Sequence, residues 1–412
     1  MGQLSVEVDP AEVGFDPGRL ARIGRVFDRY VEAGRLPGWL VLVARHGRIA
    51  YLATSGRRHL EAGLPVEPDT LWRIFSMTKP ITSVATMMLY EEGAFELTDP
   101  VSRYLPAFAD QRVYTGGSDQ KPVTVPATEP VRIWHLLTHT AGLTYGFHRT
   151  HPVDAMLRAR GWEWGAPAGV DLAAAVDQWA SFPLLFQPGT EWNYSYATDV
   201  LGRLVEVVSG SRLDDFFATR ILRPLGMTET AFQVAPEQAD RLARLYLAMP
   251  GGGLAPGDVL GDVVLKPPAL LSGGGGLVST AGDYHRFAQF LLNQGELDGV
   301  RLLGSRTVRY MTRNHLPGGA DLEQFGRPIH AESPLRGVGF GLGFAVVQDP
   351  ARYRTLSSAG EFNWGGAAST AFWVDPAESL TAVFMTQLMP STTLPLRTQL
   401  RQLVYQALVD RT

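Results

Sequence analysis

Apolar residues recur at helical spacing in a few long stretches of this chain and crowd at strand-like density in shorter ones. Leu20, Ile23, Val26, Phe27 and Tyr30 share one side of a helix predicted from Ala11 to Arg35, with Gly34 near its end. Ile81, Val84, Ala85, Met88 and Leu89 form a second helical face. Proline is tolerated only in a first turn, so this helix must start just before Pro80, and Gly93 is its stop. A third helix closes the chain from Pro395 to Val409. Leu40 to Arg45 and Arg48 to Ala53 read as strands of a hairpin joined through His46-Gly47, and Asp69 to Phe75 leads into the second helix. Strands return at Gly339 to Val347, Arg354 to Ser358, Ala367 to Val374 and Leu380 to Thr386. Between Asp99 and about Leu270, helical patterns alternate with loops and no strand is clear; Lys121 to Pro126 and Trp162 to Gly169 read as loops or covers. Strands at both ends with helices between them predict an α+β protein. Its antiparallel sheet lobe takes residues 1–75 and 300–412, its mainly helical lobe residues 76–299, and the cleft between them is the expected site.

Composition narrows the function more by exclusion than by indication. The 412 residues are 45% hydrophobic and 19% charged, with a net charge of −4, which gives no reason to expect nucleic acid or an anionic membrane surface as partner. With no cysteine, disulfides, thiol catalysis and Cys-based metal sites are excluded. No uncharged apolar stretch reaches the ~18 residues of a membrane span. The opening Met1 to Pro10 lacks a basic segment followed by an apolar run, so a soluble cytoplasmic protein is expected.

The chemistry centres on Ser76-Met77-Thr78-Lys79. On a helix, positions i and i+3 are neighbours, so Ser76 and Lys79 can touch. The helix N-terminus favours negative charge developing on the serine oxygen. Apolar neighbours disfavour a charged ammonium, so a neutral amine can accept the serine proton. Ser76 reads as the nucleophile and Lys79 as its base.

Two other motifs are set aside. His135 and His139 lie at i and i+4, but the Glu of His-Glu-x-x-His is missing and no third ligand stands out, so they read as structural histidines and no metal is expected. Ser272 to Thr280 is a glycine-rich loop before a helix from Asp283 to Asn293. It lacks the Gly-Lys-Ser/Thr ending of a phosphate loop, and reads as backbone crowding beside the active cleft. No cofactor is implied. No serine sits in Gly-x-Ser-x-Gly, which argues against an α/β-hydrolase elbow.

Ser76-Met77-Thr78-Lys79 resembles the Ser-x-x-Lys box of serine β-lactamases and penicillin-binding proteins. Tyr194-Ser195-Tyr196 resembles the Tyr-x-Asn box of the class C branch, with tyrosine in place of asparagine. Where a β-lactamase carries Lys-Thr-Gly to bind the substrate carboxylate, this chain has Trp364-Gly365-Gly366, placed just before the predicted strand Ala367 to Val374. That replacement is similar to the family VIII carboxylesterases. The resemblance implies a β-lactamase/transpeptidase-like fold and a serine carboxylesterase acting on short- to medium-chain esters through an acyl-enzyme on Ser76. Lys79 and Tyr194 together would serve as base, in an order the residues leave open. It further implies an oxyanion hole from the backbone N–H groups of Ser76 and Ala367, and substrate contacts at Tyr196, Trp364, Gly365 and Gly366. The Tyr196 phenol could bind substrate or merely fill space. An acyltransferase with the same residues, a weak β-lactamase and a penicillin-recognising sensor are the rival readings.

Overall fold

The computed structural model describes residues 4–327 and 335–409; the opening Met1 to Gln3 of the segment read for a leader lies outside them. An eight-stranded antiparallel sheet is built from β1 (Gly38–Arg45), β2 (Arg48–His59), β3 (Leu64–Pro65), β4 (Val338–Phe340), β5 (Ala345–Val347), β6 (Phe362–Gly365), β7 (Ala371–Asp375) and β8 (Leu380–Met385). Its order is β4-β5-β6-β7-β8-β1-β2-β3, so the first strand is seated beside the last, with Leu42 opposite both Leu52 and Val383. Every residue of β1 is buried, as a strand covered on both faces requires. Leu40, Leu42 and Ala44 point into the main core, whereas Trp39, Val41 and Val43 enter a second core under the terminal helices. Each such large apolar side chain contributes roughly 2 kcal/mol on burial.

The helices that matter are α1 (Arg22–Glu32), α2 (Thr78–Glu91), α3 (Ile133–Leu137), α4 (Ala197–Ser209), α5 (Ala281–Leu292) and α6 (Leu396–Tyr405). α1 and α6 cover one face of the sheet, where Phe27 meets Trp39 edge-on at 5.7 Å. α5 lies on the other face, with the Tyr284 ring 5.0 Å from Phe372 of β7 and its hydroxyl donating to the Met77 carbonyl at 2.8 Å. Pro80 occupies the first turn of α2 and Gly93 follows its end at φ 74°. The single apolar face read from the sequence understates α2, since every residue from Thr78 to Leu89 is buried. Thr82 Oγ1 donates to the Gly273 carbonyl at 2.6 Å and Thr86 Oγ1 to that of Thr82 at 2.9 Å, whereas the buried Ser83 Oγ has no hydrogen-bond partner among the described residues.

Several expectations are corrected. The N-terminal helix is shorter, Pro10–Val13 and Pro17–Leu20 being separate turns before α1. Residues 99–270 do contain strands: Arg112–Gly117 pairs with Pro122–Pro126, and Tyr246–Ala248 sits between Leu254–Pro256 and Leu388–Met389. The span Gly339 to Val347 is a hairpin, because Gly343 at φ 97° turns the chain between β4 and β5. Arg354 to Ser358 forms no strand: Asp349 caps a turn of helix at Pro350–Tyr353, and Arg354 leaves it at φ 57°. Ala367 to Thr370 is a turn and β7 begins at Ala371, so Trp364 and Gly365 lie within β6 and not ahead of a single strand.

One buried group on α5 gives a pH test. Among the described residues His285 Nδ1 has no hydrogen-bond partner, and burial, with Arg286 nearby, pushes its pKa down to about 4. The unfolded chain therefore binds a proton here below pH ~6.5 that the fold refuses until about pH 4. Stability from this group is complete above ~6.5 and falls on acidification by up to about 1.4 kcal/mol per pH unit. Urea unfolding of His285→Gln is expected to show its stability relative to wild type rising between pH 6.5 and 4; a constant difference would exclude the mechanism.

Candidate active site

The loop before α2 presents Ser76 through a strained turn. Phe75 holds φ 43°, a left-handed conformation unusual for a bulky residue, and Phe75–Met77 forms a turn of 3-10 helix. The glycine-rich loop is stitched alongside: Trp72-Arg73 pairs with Val278-Ser279, the Ile74 N–H donates to the Leu277 carbonyl at 3.1 Å, and the Leu277 N–H donates to Thr78 Oγ1 at 3.2 Å.

Lys79, one turn on, is 2% exposed. Its Nζ donates to Ser76 Oγ at 3.2 Å, to the Tyr145 hydroxyl at 3.1 Å and to the Gly274 carbonyl at 2.7 Å. Three acceptors match the three N–H donors of an ammonium. Nζ also lies 4.6 Å from the centre of the Tyr194 ring, within cation–π range.

Tyr194 reaches the site through its ring. Its hydroxyl accepts from Trp364 Nε1 at 3.3 Å, the two rings standing 5.3 Å apart, and its carbonyl bonds His148 Nε2 at 2.7 Å. This places the second and third motifs against each other, with the Tyr194 ring against Lys79. Tyr196 turns away: it is 4% exposed, stacked on Trp179 at 4.4 Å and edge-on to Tyr145. Of its two readings, filling space is the one this position supports.

Gly366 explains the glycine pair. A Cβ at this residue would collide with the Ile74 carbonyl and with Thr370 Oγ1, so only glycine lets the turn after β6 close against the Ser76 loop. Ala367 and Phe75 then pack on the same small cluster of Leu245, Ala368 and Met389. Gly365 abuts the Arg397 guanidinium, whose Nη2 donates to the Gly366 and Thr370 carbonyls at 2.6 and 2.9 Å and clamps the turn.

His135 and His139 serve different partners. His135 Nδ1 accepts from the Arg132 N–H at 3.0 Å at the start of α3, and burial, with Arg132 beside it, lowers its pKa to about 4. His139 Nδ1 bonds Ser195 Oγ at 3.2 Å, and its ring packs 5.0 Å from Tyr194. Burial, then the charges of Lys79 and His148, hold it well below the usual imidazole range, so it backs the site as a neutral ring. Among the described residues no cluster of three or more His, Asp or Glu could hold a metal ion, and no helix is long and apolar enough to cross a membrane.

Sequence reasoning missed Tyr145 and Asp199. Tyr145 follows the loop after α3 with no local pattern to mark it, yet its hydroxyl contacts Lys79. Burial, followed by the nearby Asp199, Tyr194 and Tyr196, pushes its phenol well above the ordinary tyrosine range, so it stays a neutral donor and acceptor. Asp199 on α4 lies behind the glycine-rich loop, where Ser272 Oγ and the Gly274 N–H donate to its Oδ1 at 2.5 and 3.0 Å.

Residues 23–406 match the beta-lactamase family. The chain belongs to that family. Among its relatives, esterase EstB of Burkholderia gladioli is 32% identical over 93% of this chain and 94% of its own length. The lovastatin esterase of Penicillium rubens is 30% identical over 87% of this chain and 90% of its own. The structure of EstCE1, a hydrolase with promiscuous acyltransferase activity, superposes with a TM-score of 0.80 at 29% identity, covering 94% of this chain and 99% of that one. Within the beta-lactamase family the chain is a serine hydrolase of the esterase branch, with the β-lactamase/transpeptidase-like fold and with ester hydrolysis or acyl transfer as its chemistry.

Proposed function

We propose that the protein is a carboxylesterase for short- to medium-chain esters, working through an acyl-enzyme on Ser76 at the junction of the sheet-bearing and helix-rich parts of the chain. The observation that carries this reading is the 3.2 Å contact from Lys79 Nζ to Ser76 Oγ, with Trp364 standing where a β-lactamase has its carboxylate-binding lysine. The Ser76 proton passes to the Lys79/Tyr194 pair as Oγ attacks the ester carbonyl carbon. Charge on the carbonyl oxygen is met by the N–H groups of Ser76 and Ala367. The pair returns the proton to the departing alkoxide, leaving acylated Ser76, and then deprotonates the water that releases the acid. Tyr145 keeps Lys79 oriented throughout. Trp364, half-buried and backed by the buried Phe340 ring edge-on at 5.4 Å, offers apolar surface to the ester and no charge for a β-lactam carboxylate.

Wild type is expected to hydrolyse p-nitrophenyl acetate and butyrate with little cleavage of a cephalosporin run alongside, and Tyr194→Phe to be strongly impaired. Equal rates on acetate and long-chain esters would remove the chain-length reading. Gly366→Ala is expected to push the turn off Ile74 and lower kcat about a hundredfold, the usual cost of losing one oxyanion donor, with KM little changed. An unchanged kcat would remove Ala367 from the mechanism. A second reading, transfer of the acyl group from Ser76 to an alcohol, draws on the likeness to EstCE1; adding a primary alcohol to the assay and following ester exchange separates the two.

A further inference from the structure

We infer that Asp199 is a positioning residue for Lys79, acting through the glycine-rich loop and as a buried counter-charge for the ammonium that Lys79 becomes on taking the Ser76 proton. The inference rests on Ser76 and Lys79 being the reacting pair. Asp199 belongs to α4, is 3% exposed and touches neither Ser76 nor any group aimed at it. Ser272 Oγ and the Gly274 N–H donate to its Oδ1 at 2.5 and 3.0 Å, and the carbonyl of the same Gly274 receives Lys79 Nζ at 2.7 Å. Gly274 is thus held from both sides, and a Cβ on it would run into the Asp199 carboxylate, so the carboxylate and loop fit only with glycine here.

Among the described residues, the other groups facing Lys79 do not supply a negative charge. Tyr145 is kept a neutral phenol by burial, Tyr194 presents its ring face, and His139, beyond that ring, is neutral, with His148 held on the Tyr194 carbonyl. Asp199 and Lys79 feel each other across Gly274: the lysine charge opposes the rise that burial imposes on the Asp199 carboxyl. A carboxylate accepting two hydrogen bonds, set behind the Gly274 carbonyl that receives Nζ, fixes where Nζ sits and favours its taking the Ser76 proton.

The chain has three lysines, Lys79, Lys121 and Lys266, so 13C-lysine labelling gives a small set of side-chain signals, with Lys79 assigned by its loss in Lys79→Arg. Asp199→Asn keeps the acceptor oxygen and removes the charge. It is expected to lower the titration midpoint of Lys79 by about one pH unit or more, to move the acidic limb of the pH–rate profile the same way, and to reduce kcat at least tenfold with KM within twofold. Ser272→Ala retains the carboxylate and is expected to leave the midpoint in place. Coupling between two titrating groups is reciprocal, so Lys79→Met must raise the Asp199 carboxyl midpoint by a matching amount, a test that does not need Asp199→Asn to fold. Midpoints that stay put in both Asp199→Asn and Lys79→Met would overturn the inference. Turnover that survives Ser76→Ala would instead remove the reading on which it rests.

Discussion

Ser76→Ala is expected to lower kcat for p-nitrophenyl acetate by about four orders of magnitude or more, because no other group can take over bond formation with the acyl carbon. The fold should hardly notice. Ser76 is half-buried in a 3-10 turn and its hydroxyl accepts from Lys79, a contact worth roughly 1 kcal/mol. A melting temperature close to wild type together with lost turnover assigns the effect to chemistry. Activity within tenfold of wild type would place the nucleophile elsewhere.

The largest effect on stability is expected at the opposite edge of the site. Glu361, next to the first residue of β6, is fully buried and paired with Arg401 of α6 at 3.1 Å, both side chains at most 5% exposed. Tyr405 donates to Glu361 at 2.9 Å and can also donate to Asp375 at 2.6 Å, while the Arg401 guanidinium lies 5.0 Å from the Trp373 ring. Burial, with the charge of Asp375 beside it, holds the Glu361 carboxyl above its ordinary range even against the pull of Arg401. Arg401→Met leaves that carboxylate unpaired and is expected to destabilise by about 3–5 kcal/mol in urea unfolding. The double variant Glu361→Gln with Arg401→Met should recover much of the loss, since the penalty belongs to the orphaned charge. Additive losses would contradict this. β6 carries Trp364, so this pair anchors the strand beneath the third motif.

The parts of the architecture legible in the sequence were those fixed by local chemistry. Pro80 and Gly93 bound α2 because ring sterics and a left-handed cap act within one turn. The β-rich run Leu40 to Arg45 announced a strand, and the structure adds that it is covered on both faces. Ser76 and Lys79 were legible because their contact depends on helical spacing alone. What escaped depended on residues far apart in the chain. Gly343 breaks an apparent strand into a hairpin, and a side chain there would strike Ser83 of α2, a contact no local pattern reveals. The hairpin Arg112–Gly117 with Pro122–Pro126 is largely exposed, so its hydrophobic alternation is faint. Tyr145 lies 66 residues from Lys79, and Asp199 is joined to it through Gly274. A single sequence carries no signal for either; only the folded loop brings them to the lysine.

The central claim, covalent catalysis at Ser76, is tested most directly by quenching the wild-type enzyme in acid during turnover of p-nitrophenyl acetate and weighing the protein intact and after digestion. The account requires a transient gain of one acetyl group, mapped to the peptide bearing Ser76 and absent from Ser76→Ala. Turnover with no adduct, or an adduct on another residue, would contradict it.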